Sequence, residues 1–232
     1  MADSSFLFDK SGAVCTIAFN RPDKRNCLDE AIVLEFEKLV HRVRDDRDIR
    51  AMIVTGSGSA FCAGADLSAF KSAKDTAERR RIAKEQGSRL PRLIGRVFDA
   101  ISNMDAVSIG AINGHAVGGG WSFALAFDFA IAVAGAEFWV PEVELGMPFR
   151  GYPAEVISAR LGPWMAKEAI ILCRRFTAEE LLAARVINRI VPDGELMGAA
   201  RELADKVLRM PAEAVAASKR GINSVFFGPR PF

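Results

Sequence analysis

Apolar residues follow two different spacings along the first half of the chain. Residues 14–19 and 51–55 are short runs rich in β-branched side chains, and each predicts a strand. Residues 28–43 carry apolar positions at helical spacing, and residues 91–104 predict a second helix whose proline occupies the tolerated first turn. Residues 106–112 predict a buried strand. This alternation of strands and helices predicts an α/β core.

The pattern becomes helical from Ala154 onward. Thr177 and Glu180 form a capping-box signature, residues 194–210 are amphipathic, and Pro211 opens a further helix. We therefore predict an α/β core over residues 1–153 and a helical C-terminal region over residues 154–232.

The sequence allows two structural interpretations for each of two segments within the predicted core. Residues 72–81 are highly charged and predict a surface or mobile segment. Residues 121–134 are apolar except for Asp128 and predict either one long helix or a helix followed by a strand.

Composition narrows the classes of function. Lys and Arg total 31 against 29 Asp and Glu, so the net charge of +2 gives no reason to expect nucleic acid or an anionic membrane as a partner. Four cysteines without a CxxC pair and two histidines lack the spacing of zinc ligands, so no metal is expected. Free thiols, the absence of signal-peptide features in residues 1–12 and the lack of a 20-residue apolar span together favour a cytoplasmic protein.

A first candidate site is the small-residue loop at residues 61–67, FCAGADL, which follows a predicted strand. Gly64 and its small neighbours would let a ligand approach the backbone closely. A turn that leads into a helix also leaves N–H groups unpaired. An ordinary tight turn between a strand and a helix would have the same features, so both interpretations stay open here.

A second candidate site is the run of three glycines at residues 118–120, at the start of an apolar helix. Each glycine costs roughly 0.5–1 kcal/mol relative to alanine, which suggests that side chains would obstruct something there. A helix N-terminus offers free N–H groups and a positive dipole end, both suited to an oxyanion. A close-packed turn is the alternative. The spacing does not fit a dinucleotide fingerprint or a P-loop, and Ser122 is only a near-miss to a nucleophile elbow.

A third candidate is Glu142, which follows Pro141 inside the mostly apolar segment 138–148. A carboxylate in such surroundings would lose hydration, and its pKa would rise toward values useful for proton transfer. A glutamate on a surface loop is the alternative.

Taken in order, these segments resemble the enoyl-CoA hydratase/isomerase (crotonase) family. The resemblance covers most of the chain. It rests on residues 20–26 (NRPDKRN), 61–67, 112–120 (INGHAVGGG), 141–146 and 176–192. It implies a crotonase-like ββα superhelical (spiral) core followed by a helical C-terminal region, and assembly into a homotrimer or a hexamer.

The resemblance also implies roles for individual residues. The N–H groups of Ala65 and Gly119 would form an oxyanion hole for the oxygen of an acyl-CoA thioester, with Glu142 as the acid/base. Coenzyme A is part of this substrate, so no separate cofactor is expected. The residues implied to bind the substrate or its CoA moiety are Ala63, Gly64, Asp66, Leu67, Ser68, Gly118, Ser122, Lys24 and Arg25.

The chain departs from the family at the position of one catalytic glutamate. Hydratases of this family carry two, and the first corresponds here to Ser122, so that only Glu142 is kept. One carboxylate is enough to move a double bond, because it can remove a proton from C2 and return one to C4. We therefore expect an enoyl-CoA isomerase. The alternatives are an enoyl-CoA hydratase, in which Ser122 or Glu144 orients water, and a catalytically poor acyl-CoA-binding protein.

A second departure lies at the C-terminus. The chain ends with the short tail 226–232, where family members usually continue with a further helix. We expect the C-terminal region to contribute to oligomerisation and pocket closure in a shortened form. Arg150, Gly151 and Tyr152 also replace a more usual glycine-rich segment. Arg150, Glu144 and Tyr152 either line the site or have salt-bridge or surface roles, and we expect the second.

Overall fold

The computed structural model describes residues 4–227, with side chains for all of these except residues 80, 83–88, 226 and 227. Its strands are β1 (Phe6–Ser11), β2 (Val14–Phe19), β3 (Ala51–Gly56), β4 (Ala60–Cys62), β5 (Val107–Ile112), β6 (His115–Val117), β7 (Phe129–Val133), β8 (Glu137–Trp139), β9 (Phe176–Thr177) and β10 (Arg189–Val191). Its α-helices are α1 (Glu30–Asp45), α2 (Ser68–Lys71), α3 (Thr76–Asn103), α4 (Gly119–Ala126), α5 (Tyr152–Ile171), α6 (Ala178–Ala183), α7 (Leu196–Leu208) and α8 (Ala212–Phe227).

The strands form two sheets that the chain visits in turn. The larger sheet has the order β1-β2-β3-β5-β7-β10, and the smaller has the order β4-β6-β8-β9. The chain passes from β3 to β4, from β5 to β6 and from β7 to β8 before it enters helices. Each passage is one ββα step, so the ββα superhelix predicted from the sequence is confirmed.

The core lies between the larger sheet and the helices that cover it. The ring of Phe36 on α1 has its centroid 5.4 Å from Phe6, 5.3 Å from Phe19 and 5.5 Å from Phe123 on α4. Aromatic pairs at such separations add to the free energy gained by burying their area. This cluster fixes the start of α4, where the three glycines lie.

Helix α3 begins earlier than predicted. It starts at Thr76, where the side chain of Asp75 accepts a hydrogen bond from the N–H of Glu78. Pro91 therefore lies inside the helix, where its missing N–H removes one backbone hydrogen bond. The prediction of a helix starting at Pro91 was wrong, and the last six residues of the charged segment 72–81 are helical.

The apolar stretch at residues 121–134 is a helix followed by a strand, which was one of its two predicted forms. Helix α4 is apolar on every face, and all eight of its side chains or glycines are buried. No residue among those described belongs to a helix long and apolar enough to cross a bilayer.

The C-terminal region is helical apart from two short strands. The capping box of Thr177 and Glu180 is confirmed, with both reciprocal hydrogen bonds present. The strands β9 and β10 were not predicted; β9 pairs with β8 and β10 pairs with β7, so this region extends both sheets. The division between residues 153 and 154 stays a prediction, and residues 228–232 of the tail lie outside the described residues.

Candidate active site

The first loop of the site is held by hydrogen bonds to Leu28. The N–H of Leu28 donates to the carbonyl of Gly64, and the N–H of Asp66 donates to the carbonyl of Leu28, each at 2.7 Å. This is the pattern of a parallel bridge centred on Ala65. The N–H of Ala65 itself therefore points away from Leu28. Ala65 also lines the neighbouring cavity, and its N–H donates to no backbone carbonyl among the described residues.

The second loop is the glycine run before α4. Gly118 has a φ of 53°, in the left-handed region, and its N–H donates to the carbonyl of Trp139 at 2.8 Å. Gly119 is the first residue of α4, so its N–H has no acceptor within the helix. A Cβ on Gly64 would lie 2.5 Å from the carbonyl oxygen of Val117 and 3.5 Å from the nitrogen of Gly119. The two loops are therefore in direct contact.

A cavity opens where these two loops meet. Its walls are mostly apolar, and Glu142 and Arg150 are the two ionisable residues among the described residues that line them. The lining residues are Leu28, Ala63, Gly64, Ala65, Leu67, Leu90, Pro91, Ile94, Val117, Gly118, Gly119, Pro141, Glu142, Leu145, Met147, Pro148, Phe149, Arg150 and Pro153. The structure therefore brings together Glu142 and the two residues predicted to supply the oxyanion hole.

Glu142 lies in a tight turn after β8 and points toward the glycine run. Its carbonyl accepts from the N–H of Met147 at 2.8 Å, which closes the turn. A side chain at Gly118 would overlap Oε1 of Glu142, so the carboxyl group lies directly against that glycine. Oε2 is buried and has no hydrogen-bond partner among the described residues.

The carboxyl group of Glu142 is consequently hard to ionise. Burial raises the pKa of Glu142 from its ordinary value of 4.5 to about 7, and a hydrogen bond from its own backbone N–H offsets part of that rise. A carboxylate with a pKa near neutrality can both accept and return a proton at physiological pH. Because Ala65 and Gly119 line the same cavity, a group of this kind could act there on a C–H bond next to a carbonyl.

Ser122 is the next residue to which the resemblance gives a role. It is fully buried, and its hydroxyl donates to the carbonyl of Pro153 at 3.0 Å. It is not among the residues that line the cavity. Ser122 lies one turn into α4, and its side chain faces the start of α5. Contact of Ser122 with the substrate or with water stays a prediction.

A second depression adjoins the cavity and shares Leu28, Ala65 and Leu90 with it. The other lining residues include Lys24, Asp66 and Ser68, which were predicted to bind CoA. Oδ1 of Asp66 accepts from the N–H and the hydroxyl of Ser68, at 2.9 Å and 2.5 Å.

Charge in this depression is partly compensated. Hydrogen bonds from Ser68 lower the pKa of Asp66, and Nζ of Lys24 lies 3.8 Å from Oδ2 of Asp66. Arg25 is exposed and lines neither the cavity nor the depression among the described residues. The structure therefore brings both residues to the loop at residues 63–68. Lys24 reaches it through its side chain, and the carbonyl of Arg25 accepts from the N–H of Ala63 at 2.9 Å.

Other lining residues are contributed by α3 and by the segment that joins Glu142 to α5. Arg150 lines the cavity, which was one of its two predicted roles, and its side chain is exposed. Glu144 is exposed and is not on the cavity wall, and the hydroxyl of Tyr152 donates to Oδ2 of Asp99 at 3.3 Å.

Comparison with known proteins gives one consistent result. The family model described as enoyl-CoA hydratase/isomerase matches residues 9–226. A short-chain-enoyl-CoA hydratase of Clostridium acetobutylicum is 31% identical over 221 residues, which are 95% of this chain and 81% of that protein. A carnitinyl-CoA dehydratase of Proteus mirabilis is 36% identical over 209 residues, or 90% of this chain and 76% of that protein. Enoyl-CoA hydratase subunit I of Geobacillus kaustophilus has a TM-score of 0.83 at 28% identity and covers 97% of this chain and 84% of its own.

Proposed function

The chain belongs to the enoyl-CoA hydratase/isomerase family, and from that premise we propose that it moves the double bond of a 3-enoyl-CoA into conjugation with the thioester. Glu142 is the acid and base of this reaction. The acyl chain occupies the cavity beside the two loops, and the CoA moiety leaves through the depression that contains Lys24.

The reaction begins with removal of a proton from C2. The N–H groups of Ala65 and Gly119 donate to the thioester oxygen, and the Glu142 carboxylate takes the C2 proton. The electron pair of the broken C–H bond passes into a dienolate that extends from the oxygen to C4. Each donor to such an oxyanion contributes about 2.7–4 kcal/mol to transition-state stabilisation.

The reaction ends with return of the proton to C4. Protonated Glu142 donates to C4, the dienolate collapses to the conjugated 2-enoyl thioester, and the carboxylate is restored. No atom is gained or lost overall. One group that alternates between base and acid is sufficient, and a pKa near 7 suits both roles.

The observation that carries this proposal is the number of carboxylates on the cavity wall. Glu142 is the single acidic residue among the described residues that line the cavity, and Oε2 has no partner there. Water addition to a 2-enoyl-CoA needs one group to activate water and a proton for C2, which is more readily supplied by two groups. Ser122 is committed to the carbonyl of Pro153 instead.

Hydration is the second candidate function, and the names of the relatives favour it. Two proteins that match most of this chain are a hydratase and a dehydratase. In that case Glu142 would handle both the proton of the attacking water and the proton delivered to C2. The same oxyanion hole would serve, because addition of water to C3 also passes through an enolate.

Two substrates distinguish these candidates. With 3-hexenoyl-CoA, an isomerase increases the absorbance of the conjugated enoyl thioester; with crotonyl-CoA, a hydratase decreases it. We expect the increase with the first substrate and little change with the second. Rapid loss of the crotonyl-CoA absorbance would instead support hydration. Binding of both thioesters without turnover, unaffected by Glu142→Gln, would indicate an acyl-CoA-binding protein.

The assembly of the chain stays a prediction. We propose a homotrimer or a hexamer of such trimers, on the resemblance to the family. Sedimentation equilibrium gives the mass directly, and a monomer would contradict the proposal.

A further inference from the structure

The segment that joins Glu142 to α5 is fixed against the cavity at both ends. Phe149 packs against the hydrophobic core on one side of Arg150. On the other side, Gly151 has a φ of 73°, and a Cβ there would lie 3.8 Å from Cβ of Pro91 on α3. Tyr152 then anchors the start of α5 through its hydrogen bond to an aspartate of α3. The backbone of Arg150 is therefore held at the cavity wall.

The charge of Arg150 has no partner among the described residues. Its side chain is exposed, and it makes no ion pair or hydrogen bond with any residue that the structure describes. Other arginines near the core are used: Arg96 forms two 2.8 Å hydrogen bonds with Glu37, and Arg160 donates to two backbone carbonyls. Glu142 does not serve as the counterion, because no cation contributes to its pKa shift. Among the described residues, the cavity wall thus carries one cation without a partner, Arg150, and Glu142 is its other ionisable residue.

Arg150 lies on the side of the cavity toward which the acyl chain of the ligand would extend. The adjoining depression that contains Lys24 shares residues with the cavity, but it includes none of residues 141–153. A ligand whose CoA moiety leaves through that depression directs its acyl chain toward the segment that carries Arg150. Leu145, Met147 and Phe149 on this segment supply apolar contacts for methylene groups.

We propose that the acyl chain of the substrate ends in a carboxylate, which the guanidinium of Arg150 binds while C2 faces Glu142. This inference rests on the proposed function, because it assigns the cavity to the acyl chain. A guanidinium matches a carboxylate with two parallel hydrogen bonds. Since Arg150 is exposed, neither charge has to be fully dehydrated when the pair forms, which avoids the penalty of a buried ion pair.

Binding of saturated thioesters tests the inference without turnover. Adipoyl-CoA and hexanoyl-CoA have the same number of acyl carbons and differ in the terminal carboxylate. By calorimetry, we expect the parent protein to bind adipoyl-CoA about 10-fold more tightly at low salt, as a charge-assisted pair allows, and the preference to shrink as salt is added.

Variants assign the preference to one side chain. In Arg150→Ala we expect the ratio of the two affinities to fall to about one, and in Arg150→Lys part of the preference to remain. Arg47→Ala is the matched control, because Arg47 is also exposed and lies in the turn between α1 and β3, away from the cavity lining. Its ratio should equal that of the parent. Because Arg150 is exposed, its replacement should leave the unfolding transition unchanged.

The possible failures are distinguishable. Equal affinity of the parent for both thioesters would overturn the carboxylate inference and leave the proposed function standing. If Arg150→Ala weakened the binding of both thioesters equally, the carboxylate inference would also be overturned and the proposed function would stand. That result would indicate that Arg150 binds the CoA moiety, which the two thioesters share. Failure to bind either thioester would overturn the proposed function and this inference with it. If the parent binds as expected, 3-hexenedioyl-CoA should have a kcat/KM about 10-fold above that of 3-hexenoyl-CoA, through charge-assisted binding.

Discussion

Two buried charges in this molecule are treated in opposite ways. Nζ of Lys219 on α8 lies 2.8 Å from Oδ2 of Asp128 and 2.8 Å from the carbonyl oxygen of Ala106. The same carboxylate oxygen also accepts from the N–H and hydroxyl of Ser108. Glu142, by contrast, has a buried oxygen without any partner among the described residues. The charge of Lys219 is compensated within the protein, whereas the carboxyl group of Glu142 lies on the wall of the cavity, where a ligand could contact it.

The difference separates a structural role from a chemical one. Burial lowers the pKa of Lys219, but Asp128 favours its charged form, so the pair ties α8 to the ends of β5 and β7. Burial raises the pKa of Glu142, and no cation opposes it. A base that is poorly solvated and unpaired is also more ready to take a proton from carbon. We therefore expect changes at Lys219 to affect stability and changes at Glu142 to affect the reaction.

The largest expected effect is on turnover in Glu142→Gln. Loss of the one acid/base group should lower kcat for the enoyl-CoA reaction by about 10³-fold, within the range for general acid–base catalysis. Ser122→Ala is the control, because the Ser122 hydroxyl contacts a backbone carbonyl and not the cavity. Steady-state kinetics measure both. A Glu142→Gln variant that keeps a tenth of the parent kcat would contradict the chemical role assigned to Glu142.

The next effect is on stability in Lys219→Met. Removing one partner of a buried ion pair leaves Asp128 uncompensated and should lower the free energy of unfolding by about 3 kcal/mol. Lys206→Met removes an exposed pair with Glu202, whose atoms are 3.0 Å apart, and should cost less than about 0.5 kcal/mol. Urea unfolding measures both values. Equal losses in the two variants would show that the buried pair is not a structural anchor.

A smaller effect is expected when the carboxyl group of Glu142 is moved rather than removed. An alanine at Gly118 would overlap Oε1 of Glu142 and would also have a φ of 53°, so the carboxyl group must shift. A misplacement of about 1 Å can cost about 10²-fold in kcat. Gly198→Ala on α7 is the control, because its new methyl group would meet nothing within 4 Å. Unchanged turnover in Gly118→Ala would argue against the position assigned to Glu142.

The smallest effect is the dependence of stability on pH. Since the pKa of Glu142 is raised to about 7 from 4.5, the folded protein holds this proton more tightly than the unfolded chain. The resulting stabilisation is complete below the unfolded pKa and is lost as the pH rises through the folded pKa. The free energy of unfolding of Glu142→Gln, taken relative to that of the parent, should therefore be about 2–3 kcal/mol higher at pH 8 than at pH 5. Urea unfolding at both pH values tests this, and a difference that does not vary with pH would contradict it.

The sequence was sufficient for the parts of the site that depend on local backbone chemistry. Gly64 and Gly118 have positive φ and leave no room for a side chain, so glycine is required at both positions. Glu142 stands out because it follows a proline within an apolar segment. These features can be recognised in a single sequence, and their order along the chain is what resembles the family.

Other features depend on packing and could not be predicted from a single chain. Because α4 is apolar on every face, no amphipathic pattern shows that Ser122 faces α5. Strands of two or three residues, such as β9 and β10, have no pattern of their own and are defined by the sheets they join. Because Asp75 caps α3 and the helix tolerates Pro91 in its interior, α3 begins 15 residues before the predicted start at Pro91.

Exchange of the C2 protons of hexanoyl-CoA in D₂O tests the central claim most directly. A saturated thioester can neither isomerise nor add water, so incorporation of deuterium reports proton removal by the enzyme and formation of an enolate. We predict exchange with the parent protein and with folded Lys219→Met, and a loss of about 10³-fold with Glu142→Gln. Equal exchange in Glu142→Gln and the parent, or none in the parent while the thioester is bound, would contradict the role of Glu142.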